Sequence, residues 1–198
     1  AAGIVIAVVA VEIMPEAISK VPGWGLTVSF LLGGAFYMAV DWVVGRVQGA
    51  GGSGMWMIYF AVCMDLFSDG LLIGAGSAAS SSLALVLALG QLLADVPEGF
   101  AAMVNFKGKN VPRTRRLLLS VSFAVPVLLA ATLAYVLLRG RSESLQMAAI
   151  VFTAAPLVLA AVEDMITEAH ESAEDSKISI MAFLGGFALF TLVSTSLG

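Results

Sequence analysis

The sequence predicts an all-α integral membrane protein, a polytopic helical bundle that forms a single transmembrane domain over residues 1–198. Three observations predict it. Hydrophobic residues make up 60% of the chain and charged residues 12%, whereas ordinary soluble domains carry roughly a quarter charged residues. Apolar runs of about 20 residues recur, each long enough to cross a hydrocarbon core of about 30 Å as a helix. The breaks between the runs are short and rich in Gly, Ser and Pro, too short to hold a soluble domain. A spanning segment must satisfy its own backbone hydrogen bonds, so only helices or a closed barrel are open to it. A barrel is excluded because its strands need only about 10 residues and alternate polar with apolar.

The spans fall at about 1–18, 24–45, 55–76, 82–105, 117–138, 145–166 and 178–197. The first is apolar from Ala1 onward and contains Glu12 and Glu16, so it is expected to be a helix entered partway. Ser19-Lys20-Val21-Pro22-Gly23 separates it from the second, whose Asp41 and Trp42 are expected to mark the inner membrane boundary. The glycine-rich stretch 48–54 leads into the third, which carries Cys63, Asp65 and Asp69. A turn at 77–81 leads into the fourth, with Asp95, Pro97 and Glu98. The basic loop 106–116 precedes the fifth span, which has no charge. Arg139-Gly140-Arg141-Ser142 turns the chain into the sixth, which ends at Glu163 and Asp164 before His170 and the last span.

Loops bearing Arg46, Lys107, Lys109, Arg113, Arg115, Arg116 and Lys177 alternate with loops bearing Lys20, Arg139 and Arg141. The richer group belongs in the cytoplasm, with the 106–116 loop as the main cytoplasmic anchor. The expected location is the cell membrane, multi-pass, with the lipid bilayer as partner. A basic loop at the end of a span serves topology and headgroup contact, so no nucleic acid is expected. Cys63 is alone and points about 200° away from Asp65 around the helix, which argues against its being a shared ligand.

The chemistry lies in four acids. Asp65 and Asp69 are four residues apart, and Asp95 and Glu98 three apart, so each pair shares one face of its helix. The short turn at 77–81 makes the two helices antiparallel neighbours, and the four carboxylates converge near the midplane. An ionised side chain there costs about 2.5 to 3.5 kcal/mol on insertion scales, and like-charge repulsion adds to that unless cations or protons bind. The bland alternative is protonated acids that hydrogen-bond neighbouring helices. Gly70 and Gly99 follow an acid on each helix, and Pro97 kinks the second, an arrangement suited to an ion site and to a weak inverted repeat.

Asp95-Val96-Pro97-Glu98-Gly99 resembles the signature of the ZIP (Zrt/Irt-like) family of divalent metal transporters. Pro15-Glu16-Ala17, Asp69-Gly70, Glu168-Ala169-His170 and Phe183-Leu184-Gly185-Gly186-Phe187-Ala188 are similar to other parts of its pattern, in order along the chain. The resemblance implies an eight-helix fold of which seven spans are visible, the missing one being the first. It implies metal ligands at Asp65, Asp69, Asp95 and Glu98. The family's metal-binding His is Asp65 here, its Asn is Leu66, its Pro is Ser68, its Glu is Asp69, the Gln before the kept Asp is Ala94, and an acid before Pro126 is replaced by Val125. A mononuclear, all-oxygen site is therefore expected. Oxygen ligands suit Mn²⁺, imidazole suits zinc, and Mg²⁺ sheds water reluctantly.

The expected substrate is a divalent metal ion of the Zn²⁺, Mn²⁺, Fe²⁺ or Cd²⁺ class, with no organic cofactor. Glu163, Asp164 and His170 form a candidate transport path toward the cytoplasm, with Glu163 at the place of a family His; Glu12 and Glu16 form one at the outer face. Hydrated helix-end acids are the competing account of both groups. Two other functions use the same acids: a proton or monovalent-cation carrier, and a non-transporting metal-binding scaffold or sensor. An enzyme is not expected, since the chain has no His-Glu-x-x-His and a single His. Gly33, Gly34, Gly185 and Gly186 mark close helix contacts, within a protomer or between the two of a homodimer.

Overall fold

The protein is represented by a computed structural model that describes residues 1–48, 54–167 and 176–197. Among the described residues there is no strand, and seven helical stretches are long and apolar enough to cross a membrane. The protein is a multi-pass membrane protein by that measure.

The first span is built from α1 (Ala2–Ala7), a π-helical turn (Val8–Ile13) and α2 (Met14–Lys20). Pro15, in the first turn of α2, has no N–H for the carbonyl one turn back, and the wider π turn takes up the slack just before it. Val21 is extended (φ −125°, ψ 133°), as a residue before proline prefers, and breaks the chain ahead of α3 (Gly23–Gln48). Helices α4 (Gly54–Ala79) and α5 (Ser81–Gly108) follow, then α6 (Arg113–Ser122) and α7 (Ala124–Leu138) as one span loosened at Phe123. Pro126 removes the N–H that the carbonyl of Ser122 would meet there. The sixth span is α8 (Glu143–Ala160) continued by a second π turn (Ala161–Ile166), and α9 (Ser176–Leu197) is the seventh.

Two expected loops are shorter than the sequence suggests. The turn expected at 77–81 reduces to Ser80 alone, which is extended and caps α5 by accepting a hydrogen bond from the Leu83 amide at 3.1 Å. Ser77 stays helical, with its hydroxyl donating to the Ile73 carbonyl at 2.7 Å. The 106–116 loop reduces to residues 109–112, with Asn110 in the left-handed region (φ 57°). Arg113, Arg115 and Arg116 ride on α6 instead, since Arg is a good helix former and its long stem lets the charge reach water. The Arg139–Ser142 break is kept, with Gly140 at φ +74°.

Burial sorts the spans. In their apolar stretches 44% of the first and 56% of the sixth span is buried, against 6% of the second and 11% of the fifth and seventh. The first and sixth are thus the inner helices, and the second, fifth and seventh the outer ones. Helix α4 packs on α5 and α7, α3 on α8, and α1 on α9, with α4 also meeting α8. Several of these contacts are backbone to backbone. A Cβ at Gly70 or Gly74 would overlap the carbonyls of Val127 or Ala131 on α7, and one at Gly33 would overlap the carbonyl of Phe152 on α8. That last carbonyl is the one Pro156 leaves without a helical donor, so Gly33 brings the α3 backbone against it.

Candidate metal centre

Ser80 folds α5 back along α4, and the helical spacing then turns Asp65 and Asp69 toward Asp95 and Glu98. Asp65, Asp95 and Glu98 each offer one oxygen, and these three lie within 4.8 Å of one another. Oxygens on opposite sides of one divalent ion, each at about 2.0 to 2.4 Å from it, are separated by about 4 to 5 Å. The spread therefore matches a single ion held by all three.

Asp69 lies deeper, at 1% exposure, and its Oδ1 accepts a hydrogen bond from the side-chain amide of Gln91, itself at 2% exposure. Gln91 stands one turn before Asp95 and so on the same face of α5. Asp69 Oδ2, Gln91 Oε1 and Glu98 Oε1 are buried and have no hydrogen-bond partner. A buried oxygen left without a donor costs about 1–3 kcal/mol. All five polar side chains line one cavity of about 10 Å³, roughly the space of one water-sized body, closed on its other side by Val5, Leu157, Ala160 and Met165. Among the described residues, no Lys or Arg lines it. The polar wall comes from α4 and α5, and the apolar wall from the first and sixth spans.

A second cavity of about 350 Å³ opens between α3, α4 and α8. Asp65, Leu157 and Ala160 line both cavities, so the larger one reaches the carboxylate cluster directly. Tyr37 and Asp41 on α3 and Ser68 on α4 add polar groups to its wall. Asp41 lies near the end of its span and also faces this cavity, a role that its position in the sequence did not reveal.

Among the candidate path residues, Glu12, Glu16 and Glu163 do not line the small cavity. Glu12 is half-buried, and its Oε2 accepts a hydrogen bond from Ser194 on α9 at 2.6 Å. Glu16 pairs with Lys20 at 2.9 Å, one turn on. Glu163 is exposed, in the second π turn, which also contains Asp164. His170 lies outside the described residues. Gln91 is a polar site residue that residue spacing did not single out, although a lone amide in an apolar run, one turn from Asp95, was a visible signal.

No family model matches the chain, no curated protein matches it, and no solved structure matches it.

Proposed function

We propose that this protein is a membrane carrier of divalent metal cations, with Asp65, Asp95 and Glu98 as ligands and Asp69, held by Gln91, as the fourth carboxylate of the site. The observation that carries the reading is the set of oxygens of Asp65, Asp95 and Glu98 within 4.8 Å of one another on one ion-sized cavity, with Glu98 Oε1 buried and donorless and no Lys or Arg among the described residues of its lining. A cation satisfies all of them at once; an added donor would satisfy one. The resemblance of Asp95-Val96-Pro97-Glu98-Gly99 to the ZIP signature points the same way.

The all-oxygen ligand set favours Mn²⁺ over Zn²⁺. The 350 Å³ cavity offers a hydrated ion a route between α3, α4 and α8 to Asp65, with Asp41 along it. Transport needs the small cavity to open alternately to each side. The division of its walls suits that: the polar wall belongs to α4 and α5, with α4 locked to α7 at Gly70 and Gly74, and the facing wall, from the first and sixth spans, is apolar and makes no polar bond across the cavity that opening would have to break.

Reconstitution into proteoliposomes, with Mn²⁺, Zn²⁺ and Cd²⁺ uptake measured separately, tests the proposal. The expected result is metal uptake that Glu98→Ala abolishes. Proton or Na⁺ flux with no metal flux would replace the proposal by a monovalent carrier. Metal binding without any flux would replace it by a scaffold or sensor.

A further inference from the structure

We infer that the corner where α5 meets α6 is a binding site for the headgroup of an anionic phospholipid. A cavity of about 330 Å³ sits there, lined by Lys109, Asn110, Arg115 and Trp56, and is separate from both cavities described above. The guanidinium of Arg115 stands 5.6 Å from the centre of the Trp56 ring, so the cation is placed by packing as well as by charge. Residues 107–116 hold five cations and no acid. Among the described residues the ion pairs are those of Lys20 with Glu16 and Glu143, so none of these five is neutralised by a carboxylate there. Arg116 carries a buried Nε with no hydrogen-bond partner.

Cations are also placed against the helix dipole. Arg113, Arg115 and Arg116 crowd the first turn of α6, where acids are the stabilising choice, and no side chain caps it. A bound anion removes that conflict. Depth and surroundings select a lipid over free phosphate. The corner lies at the ends of two spans, and the next turns of α6 expose Leu117, Leu118 and Val121 at 52%, 66% and 74%. A phosphate in the cavity would therefore have apolar surface at hand for its acyl chains.

The test needs no metal, so its outcome is independent of the transport proposal. The purified protein is melted in mixed micelles containing phosphatidylglycerol, phosphatidylcholine or inorganic phosphate. Phosphatidylglycerol is expected to raise the midpoint by at least about 2–4 °C over phosphatidylcholine, less at high salt. K109Q/R115Q is expected to lose that rise, and R139Q/R141Q, with the same charge removed elsewhere, to keep it. Both Lys109 and Arg115 are exposed, and K109Q alone, expected to halve the rise, serves if the double variant does not fold. Equal effects of the two lipids, a full rise in K109Q/R115Q, or the same rise with inorganic phosphate would overturn the inference.

Discussion

Gln91 on α5 donates its side-chain N–H to Asp69 Oδ1 on α4, and both side chains are buried inside the spanning bundle. The bond ties the two site helices together at their most buried polar point. It also occupies one oxygen of Asp69, whereas Asp65, Asp95 and Glu98 each offer an oxygen within 4.8 Å of one another, so the four carboxylates are not equivalent.

Gln91→Leu removes the donor and keeps the volume close to native. The expected destabilisation is about 1–3 kcal/mol, because a buried acceptor is left unmet. Asp69→Leu combined with Gln91→Leu should cost less than the two single changes added together, because the partners vanish as a pair. Thermal melts of the two single variants and the double variant in detergent give the coupling; strict additivity would show that the bond contributes nothing.

Asp65→Asn, Asp95→Asn and Glu98→Gln each remove one negative oxygen from the set within 4.8 Å. Each is expected to weaken Mn²⁺ binding by at least about tenfold, or about 1.4 kcal/mol. Glu12→Gln is the contrast, because Glu12 lies outside the cavity and bonds Ser194. Its Mn²⁺ affinity should equal that of the unaltered protein, as read by titration calorimetry. A loss as large as that of Glu98→Gln would move the site toward the first span.

Much of this arrangement could be read from residue order, and the unread parts have physical causes. Run length gives the seven spans, and the i, i+4 and i, i+3 spacing gives the shared faces of the acids. The phase of a helix is not carried by that pattern. The π turns at Val8–Ile13 and Ala161–Ile166 each shift the helical phase, so Glu12 and Glu163 do not fall where a regular helix would aim them. Loop ends misled for another reason: serine weakens a helix too little to stop one that tertiary packing supports, and a run of basic residues does not weaken it at all, as Ser77 and Arg113 show. Partners across helices, such as Gln91 for Asp69, depend on register, which spacing within one helix leaves open.

The glycines of α4 give a sharper test of packing. A Cβ at Gly70 would sit 2.8 Å from the Cβ of Ala130 and overlap the Val127 carbonyl, whereas Gly99 on α5 has nothing within 4 Å. Gly70→Ala is therefore expected to destabilise by about 1–3 kcal/mol, because backbone must move. Gly99→Ala should be neutral or stabilise by up to about 1 kcal/mol through helix propensity. Melting midpoints of the two variants measure the difference, and equal midpoints would mean that α4 and α7 are not in the close contact described.

Asp65→His tests the ligand chemistry rather than the fold. Asp65 is half-buried and lines both cavities, so a ring at this position has the larger cavity to extend into. The substitution exchanges a hard anionic oxygen for an imidazole nitrogen, which suits Zn²⁺ better than Mn²⁺. The ratio of Zn²⁺ to Mn²⁺ affinity should therefore rise by about tenfold or more, a shift of about 1.4 kcal/mol between the two ions. Competition between the ions for one purified sample measures the ratio directly, without reference to transport. Affinities for both ions that fall together, with the ratio unchanged, would mean that position 65 supplies charge to the site without touching the ion.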